Sequence, residues 1–162
     1  MKDKEMSLFL FITYLLLLTW VIVYKMDLSV LYGRYESGSL NLIPLAGTAV
    51  YNGVLNYPEI LFNVISFIPF GMYMEMLFRK ASWVTNLGII LLVSLVFEVW
   101  QIVILLGKAD ITDLLANGFG GAIGINILYV LTSIWREKAY SRVNILCLSA
   151  TVFVILITYL TL

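Results

Sequence analysis

The chain has 162 residues, of which 62% are hydrophobic and 12% are charged, with ten basic residues balancing ten acidic ones. This composition excludes a soluble globular domain, in which about half of the residues are apolar and about a quarter are charged, and it excludes a disordered chain. Zero net charge points to no nucleic-acid partner, and the lack of histidine excludes His-dependent triads and common zinc sites. We expect one integral membrane domain over residues 1–162.

Five apolar stretches are long enough to cross a bilayer as helices, which takes about 20 residues each. They are Met6–Tyr24, Ile60–Phe78, Leu87–Leu106, Leu114–Trp135 and Val143–Leu162. The first stretch ends without a small-residue cleavage site, so we interpret it as a retained helix and not as a signal peptide. The sequence therefore predicts an all-α bundle of five transmembrane helices.

The flanks of these helices differ in their basic residues, and this difference predicts the orientation in the membrane. Seven basic residues flank the helices on the side of the N-terminus, namely Lys2, Lys4, Arg79, Lys80, Arg136, Lys138 and Arg142. Three flank them on the opposite side, namely Lys25, Arg34 and Lys108. Short cytoplasmic flanks carry an excess of Lys and Arg. We therefore expect a multi-pass plasma-membrane protein with a cytoplasmic N-terminus and an external C-terminus.

The connection between the first two helices, residues 25–59, is long and is predicted to lie outside. Within it the apolar run Leu40–Val50 is too short to span the membrane, so we expect a re-entrant or interfacial segment. In the fourth helix, the small residues Ala116, Gly120 and Gly124 share one face, which favours close packing of a neighbouring helix.

Two glutamates fall inside the predicted helices, where a charged side chain is costly and usually functional. Glu75 lies within a turn of the cytoplasmic end, where an ion pair with Arg79 at i+4 or snorkelling to the membrane surface accounts for it. Glu98 lies about eight residues below the external end of its helix, with Gln101 one turn further out on the same face. A hydrogen bond to a neighbouring helix is the structural explanation of Glu98, and a general acid or base is the functional one.

The external turn before the fourth helix adds further polar residues. Asp110, Asp113 and Asn117 are spaced at i, i+3 and i+7, so we expect them to form one stripe. Helix capping explains one acidic residue, because the helix dipole favours negative charge there, but it does not explain Asn117. With Asn63 at similar depth in the second helix and Asn41 in the long external segment, these residues predict an outward-facing polar pocket.

The same residues carry a resemblance to a known family. The matching motifs are Asn41-Leu-Ile-Pro44, Asn63 with Phe67-Ile-Pro-Phe-Gly71, Ser94 with Glu98 and Gln101, Lys108-x-Asp110-x-x-Asp113, and Asn117-Gly118. In this order, from about Leu40 to Val130, the chain resembles the VanZ family. One position departs from the family pattern, since the family commonly has Arg where this chain has Lys108. A point charge thus replaces a bidentate fork for an anion.

The VanZ family is named for a membrane protein that raises resistance to teicoplanin. Teicoplanin is a lipoglycopeptide that acts on cell-wall precursor at the outer membrane face. The resemblance therefore implies a role in low-level teicoplanin resistance in a Gram-positive plasma membrane, but it implies no molecular mechanism.

Four functions remain open at this point. An enzyme would act on a lipid head group or a lipid-linked cell-wall component, with Lys108 anchoring a phosphate. A non-enzymatic binder would hold a lipid, or the acyl chain of a lipoglycopeptide, in an outward groove. A scaffold would use its polar groups only to specify helix packing. A transporter would need inverted repeats, which the sequence lacks.

These hypotheses give each polar residue of the predicted pocket an expected role. The catalytic candidates are Glu98 and Asp113, and the expected substrate-binding residues are Asn41, Asn63, Gln101, Lys108, Asp110 and Asn117. A cofactor, if one binds, would be a divalent cation with oxygen ligands from Glu98, Asp110 and Asp113. The expected partners are membrane lipids, a lipoglycopeptide or a lipid-linked cell-wall precursor.

Overall fold

The computed structural model describes residues 2–23, 39–46, 50–51, 54–55, 57–103 and 108–161. The helices of this described part are α1 (Lys2–Val23), α2 (Tyr57–Leu77), α3 (Trp83–Val103), α4 (Ile111–Trp135) and α5 (Ala139–Thr161). A 3₁₀ turn, Arg136–Lys138, joins α4 to α5. Its short strands are β1 (Ser39–Asn41), β2 (Val50–Tyr51), β3 (Val54–Leu55) and β4 (Lys108–Asp110).

Within the described residues, four helices are long and apolar enough to cross a membrane. They cover Lys4–Val23, Tyr57–Leu77, Trp83–Val103 and Ile111–Trp135, in agreement with the first four predicted spans. The fifth predicted span, Val143–Leu162, falls on α5, whose last side chains lie outside the described part, and it stays a prediction.

Each helix begins three or four residues before the apolar stretch that predicted it. The reason is that backbone hydrogen bonding does not require an apolar side chain, so polar residues can occupy the first turn of a helix. At the start of α4, for example, the N-cap residue Asp110 sets the boundary, and the helix begins at Ile111.

One pair of strands holds the long connection between α1 and α2 beside the start of α4. β1 and β4 pair in parallel, with Ser39 opposite Lys108 and Asn41 opposite Asp110. β2 and β3 form a separate antiparallel pair. The all-α prediction omitted these strands because each has only two or three residues, which is too short for an alternating pattern to be recognised.

The helices α2 and α4 pack with their backbones in direct contact. A Cβ atom on Gly120 would collide with the carbonyl oxygen of Val64, and one on Gly124 would collide with that of Ile68. In a membrane, where lipid is as apolar as the helix surface, such close van der Waals packing drives association. The prediction that this face of α4 packs against a neighbouring helix is confirmed.

Aromatic side chains fill the space between α1, α2 and α3. Phe11 of α1 stacks on Phe70 of α2 with ring centroids 5.5 Å apart. Phe67 of α2 meets Phe97 of α3 edge to face, with centroids 6.4 Å apart. Such ring pairs contribute about 0.5–1.5 kcal/mol each beyond their buried area, so they fix the positions of these three helices.

The helix α2 continues through Pro69, although a proline removes one hydrogen bond from a helix. The hydroxyl of Tyr14 in α1 donates to the carbonyl oxygen of Ser66, one turn before the proline. Backbone polar groups in a bilayer need protein partners, and α1 supplies one beside this weakened turn.

Glu75 has a different partner from the predicted one. Its Oε2 accepts a hydrogen bond from Nδ2 of Asn86 at 2.9 Å. The short connection between α2 and α3 brings the start of α3 beside the end of α2, which a single-helix pattern could not show. The ion pair with Arg79 is therefore not needed to account for Glu75.

Candidate functional site

The predicted site residues lie at one end of the bundle, which we call the polar end. It contains the last turns of α1 and α3 and the first turns of α2 and α4. Nε2 of Gln101 in α3 donates to the carbonyl oxygen of Ile22 in α1 at 2.8 Å. The last carbonyls of a helix have no partner within it, so Gln101 caps α1 and joins it to α3.

Four residues at the polar end form a hydrogen-bonded group, which we call the loop anchor. They are Asn41, Glu98, Asp110 and Thr112. Oε2 of Glu98 accepts the N–H of Asp110 at 3.0 Å. Oδ1 of Asp110 accepts the N–H of Thr112 at 2.8 Å, which makes Asp110 the N-cap of α4. Its Oδ2 accepts Nδ2 of Asn41 at 3.0 Å. These hydrogen bonds therefore hold the chain after β1 against the start of α4.

The turn held by the loop anchor has a strained backbone. Leu45 has a φ of 59°, in the left-handed region that costs a non-glycine residue about 1–2 kcal/mol. Its N–H donates to Oγ1 of Thr112 at 2.9 Å, which helps to keep the turn in place. The apolar side chains of Leu42, Ile43 and Leu45 are exposed on this turn. Strain of this kind persists where the surroundings over-determine it, often at functional sites.

A cavity of about 150 Å³, here named the polar cavity, lies beside the loop anchor. Its lining residues come from α1, α2, α3 and α4 and are Val21, Ile22, Glu59, Phe62, Asn63, Gln101 and Asp113. Two carboxylates and two amides therefore share one cavity. A few convergent polar groups in a concavity are typical of a ligand site, and these groups suit hydroxyl or amino donors.

An apolar cavity of similar size, about 150 Å³, lies next to the polar cavity, and we call it the apolar groove. Its lining residues are Tyr14, Leu17, Leu18, Val21, Phe62, Ile65, Ser66, Pro69 and Thr151. Val21 and Phe62 line both cavities. The polar cavity thus lies at the end of the bundle, and the apolar groove lies beside it between α1 and α2, with α5 at its side.

The structure separates the two catalytic candidates. Asp113 lines the polar cavity, whereas Glu98 and Asp110 border a different, mainly apolar cavity of about 80 Å³. Asp110 has extended backbone angles as the N-cap, whereas Asp113 and Asn117 lie within α4. The prediction of one stripe from Asp110 to Asn117 stays a prediction.

The cation site suggested by the sequence is not formed. No three acidic or cysteine side chains among the described residues make a group that could hold a metal ion. Both carboxylate oxygens of Asp110 accept hydrogen bonds within the loop anchor. Asp113 and Glu98 line different cavities.

The remaining predicted residues have separate positions. Asn117 is fully buried and donates from Nδ2 to Oγ of Ser94 at 2.9 Å, deeper between α3 and α4 than the polar cavity. Asn63 and Gln101 line the polar cavity as predicted binding residues. Lys108 lies in β4, but its side chain is outside the described part of the chain, so its role as a phosphate anchor stays a prediction.

Glu59 is a cavity residue that the sequence reasoning missed. The predicted helix began at Ile60, which placed Glu59 in the long connection, whereas α2 begins at Tyr57. Glu59 and Asn63 are four residues apart and therefore lie on one face of this helix. That spacing was the signal that could have identified Glu59.

Replacing Asp110 by Ala is expected to lower the free energy of unfolding by about 1–2 kcal/mol, because Thr112 loses its cap and Asn41 loses an acceptor. Asp110→Asn is the matched comparison, since asparagine keeps an N-cap oxygen and loses only the acceptor for Asn41. Hydrogen exchange at the N–H groups of Thr112 and Leu45 measures the effect. We expect fast exchange in the alanine variant and intermediate exchange in the asparagine variant; equal protection in all three proteins would show that Asp110 does not hold this turn.

Comparisons with known proteins cover most of the chain. A family model described as VanZ/LLP1 matches residues 11–135, which include the whole lining of the polar cavity. Protein VanZ of Enterococcus faecium is 31% identical over 159 residues, covering 98% of this chain and 94% of that protein. No solved structure matches this chain.

Proposed function

This chain belongs to the VanZ family, and we propose that it contributes to teicoplanin resistance by binding a lipid or a lipid-linked cell-envelope component. The polar cavity takes the head group, and the apolar groove takes one hydrocarbon chain. The observation that carries this proposal is the shared lining by Val21 and Phe62, which places an apolar space next to a polar one. An amphiphile with one polar head and one chain has the matching shape.

The polar cavity favours head groups that donate hydrogen bonds. The carboxylates of Glu59 and Asp113 accept such bonds from hydroxyl or ammonium groups, and the amides of Asn63 and Gln101 can orient them. The same two carboxylates disfavour a phosphate inside the cavity, because like charges repel. We therefore expect recognition of a sugar or an amino group, with any phosphate of the ligand outside the polar cavity.

The proposed orientation supports this assignment. In the orientation predicted from the basic flanks, the polar end lies at the external face, where a lipoglycopeptide meets its target. The exposed apolar side chains of Leu42, Ile43 and Leu45 suit a turn at the membrane interface. In the binder alternative, the same groove holds the acyl chain of the lipoglycopeptide itself.

Chemical modification of the bound lipid is a second candidate function. The observation that favours it is that two carboxylates, Glu59 and Asp113, line one cavity, where they could serve as a general acid and a general base. The catalytic hypothesis thereby moves from Glu98 to Glu59, since Glu98 belongs to the loop anchor. Turnover of a labelled lipid by the purified protein separates modification from binding.

Teicoplanin susceptibility of a sensitive Gram-positive host, with each variant at matched membrane levels, tests the proposed function. We expect the unchanged protein to protect and the double variant Glu59→Gln/Asp113→Asn to lose protection. Each substitution removes a charge-assisted acceptor, which contributes about 1.5–3 kcal/mol to binding. Glu98→Gln is expected to keep protection, because its amide oxygen still accepts the N–H of Asp110.

A matched control is Glu5→Gln, which removes one carboxylate from an exposed position in α1, outside the lining of the polar cavity. This variant should protect as the unchanged protein does. Full protection by the Glu59/Asp113 double variant would reject the polar cavity as the site. A lack of protection by the unchanged protein would reject the role in teicoplanin resistance.

A further inference from the structure

We propose a second binding site, for a phosphate group, in a cavity at the end of the bundle opposite the polar end. This cavity has a volume of about 560 Å³ and is here named the basic cavity. It lies between the start of α1, the end of α2 with the following loop, and the start of α5. None of its lining residues takes part in the polar cavity or the loop anchor, so this inference is independent of the proposed function.

The basic side chains that line this cavity favour the binding of an anion. Among the described residues that line it, three are basic, namely Lys4, Arg79 and Lys80, and none is acidic. They come from two separate segments of the chain and therefore do not lie along one helix face. The guanidinium of Arg79 offers the forked donors that match phosphate oxygens, and the two lysines add mobile point charges.

The floor of the basic cavity is held in place by contacts among three helices. Ser7 of α1 lines the cavity and is 2% exposed. Its Oγ accepts Nδ2 of Asn144 in α5 at 2.9 Å and donates to Sδ of Met76 in α2 at 3.6 Å. A fixed polar floor needs little ordering when a ligand binds, which favours affinity.

The walls and the volume of the basic cavity suit a phosphate group that belongs to a lipid. Met76, Leu77 and Phe78 form an apolar side of the cavity, and Phe78 is exposed. A volume of about 560 Å³ lies within the usual range of ligand pockets. Basic pockets between transmembrane helices bind anionic head groups on the cytoplasmic side, which is the predicted side of this end. A soluble phosphate ester presents the same chemistry, and the experiment distinguishes the two sources.

Binding of phosphatidylglycerol, phosphatidylcholine and glycerol 3-phosphate to the purified full chain tests the site. Native mass spectrometry in detergent measures the lipids, and calorimetry measures the soluble ester. We expect phosphatidylglycerol to bind in preference to phosphatidylcholine. Each basic residue near an anionic surface contributes about fivefold to binding, so Arg79→Gln/Lys80→Gln should weaken phosphatidylglycerol binding by about 25-fold.

The matched control is Arg136→Gln/Lys138→Gln, which removes the same two charges from exposed positions of the 3₁₀ turn outside the basic cavity. This variant should keep the binding of the unchanged protein, with the same thermal unfolding temperature. Stronger binding of glycerol 3-phosphate than of phosphatidylglycerol would support the site with a soluble ester as its ligand. Equal weakening in the two double variants, or no binding of either phosphate probe, would overturn the proposal.

Discussion

A tryptophan in place of Leu17 is expected to abolish the dependence of lipid binding on hydrocarbon chain length. Leu17 lines the apolar groove, so a larger indole ring at this position occupies the space proposed for the chain. Excluding three methylene groups costs about 2.4 kcal/mol, a factor of roughly 60 in Kd. The unchanged protein should bind longer chains more tightly until the groove is full, whereas the variant should bind all chain lengths alike.

The neighbouring residue gives this experiment its control. Leu16 is 69% exposed and lies outside the groove lining, so Leu16→Trp adds the same side chain one residue away on the lipid-facing side of α1. Binding of lipids with one head group and chains of increasing length, measured by fluorescence in detergent, compares the two variants. A short-chain ligand should bind equally to both, which shows that the polar cavity is intact. Chain-length dependence that survives in Leu17→Trp would reject the groove as the chain site.

Replacing Gly124 by Ala is expected to lower the free energy of unfolding by about 3 kcal/mol, at the upper end of the usual cost of overpacking. The added Cβ would meet the carbonyl oxygen of Ile68, which is backbone and cannot rotate away. The helices α2 and α4 must therefore separate. Since these helices carry Glu59, Asn63 and Asp113, the polar cavity should widen and lipid binding should weaken as well.

Gly88→Ala is the same chemical change at a position where a Cβ would meet nothing within 4 Å. It should leave the stability unchanged or raise it by about 0.5–1 kcal/mol, because alanine is the better helix former. Unfolding in mixed detergent micelles, followed by circular dichroism, measures both variants. If Gly124→Ala unfolds at the same detergent composition as Gly88→Ala, backbone contact between α2 and α4 does not stabilise the bundle.

Several features followed from the sequence by itself. Helix positions could be predicted because a bilayer requires long apolar runs, and four of these runs coincide with helices that can cross a membrane. The packing face of Gly120 and Gly124 could be predicted because residues four apart share a face. The ordered motifs from Asn41 to Asn117 were sufficient for the family, which the match over residues 11–135 confirms.

The grouping of the polar residues was decided only by the tertiary structure. A sequence gives the depth of a residue along its helix, but not the direction in which that residue faces relative to other helices. Glu98 and Asp113 are both predicted at the outer side of the membrane, yet they line different cavities. Glu59 joins Asp113 because α2 begins before its apolar run. The apolar groove exists only because α1, α2 and α5 pack side by side, which no pattern within a single helix specifies.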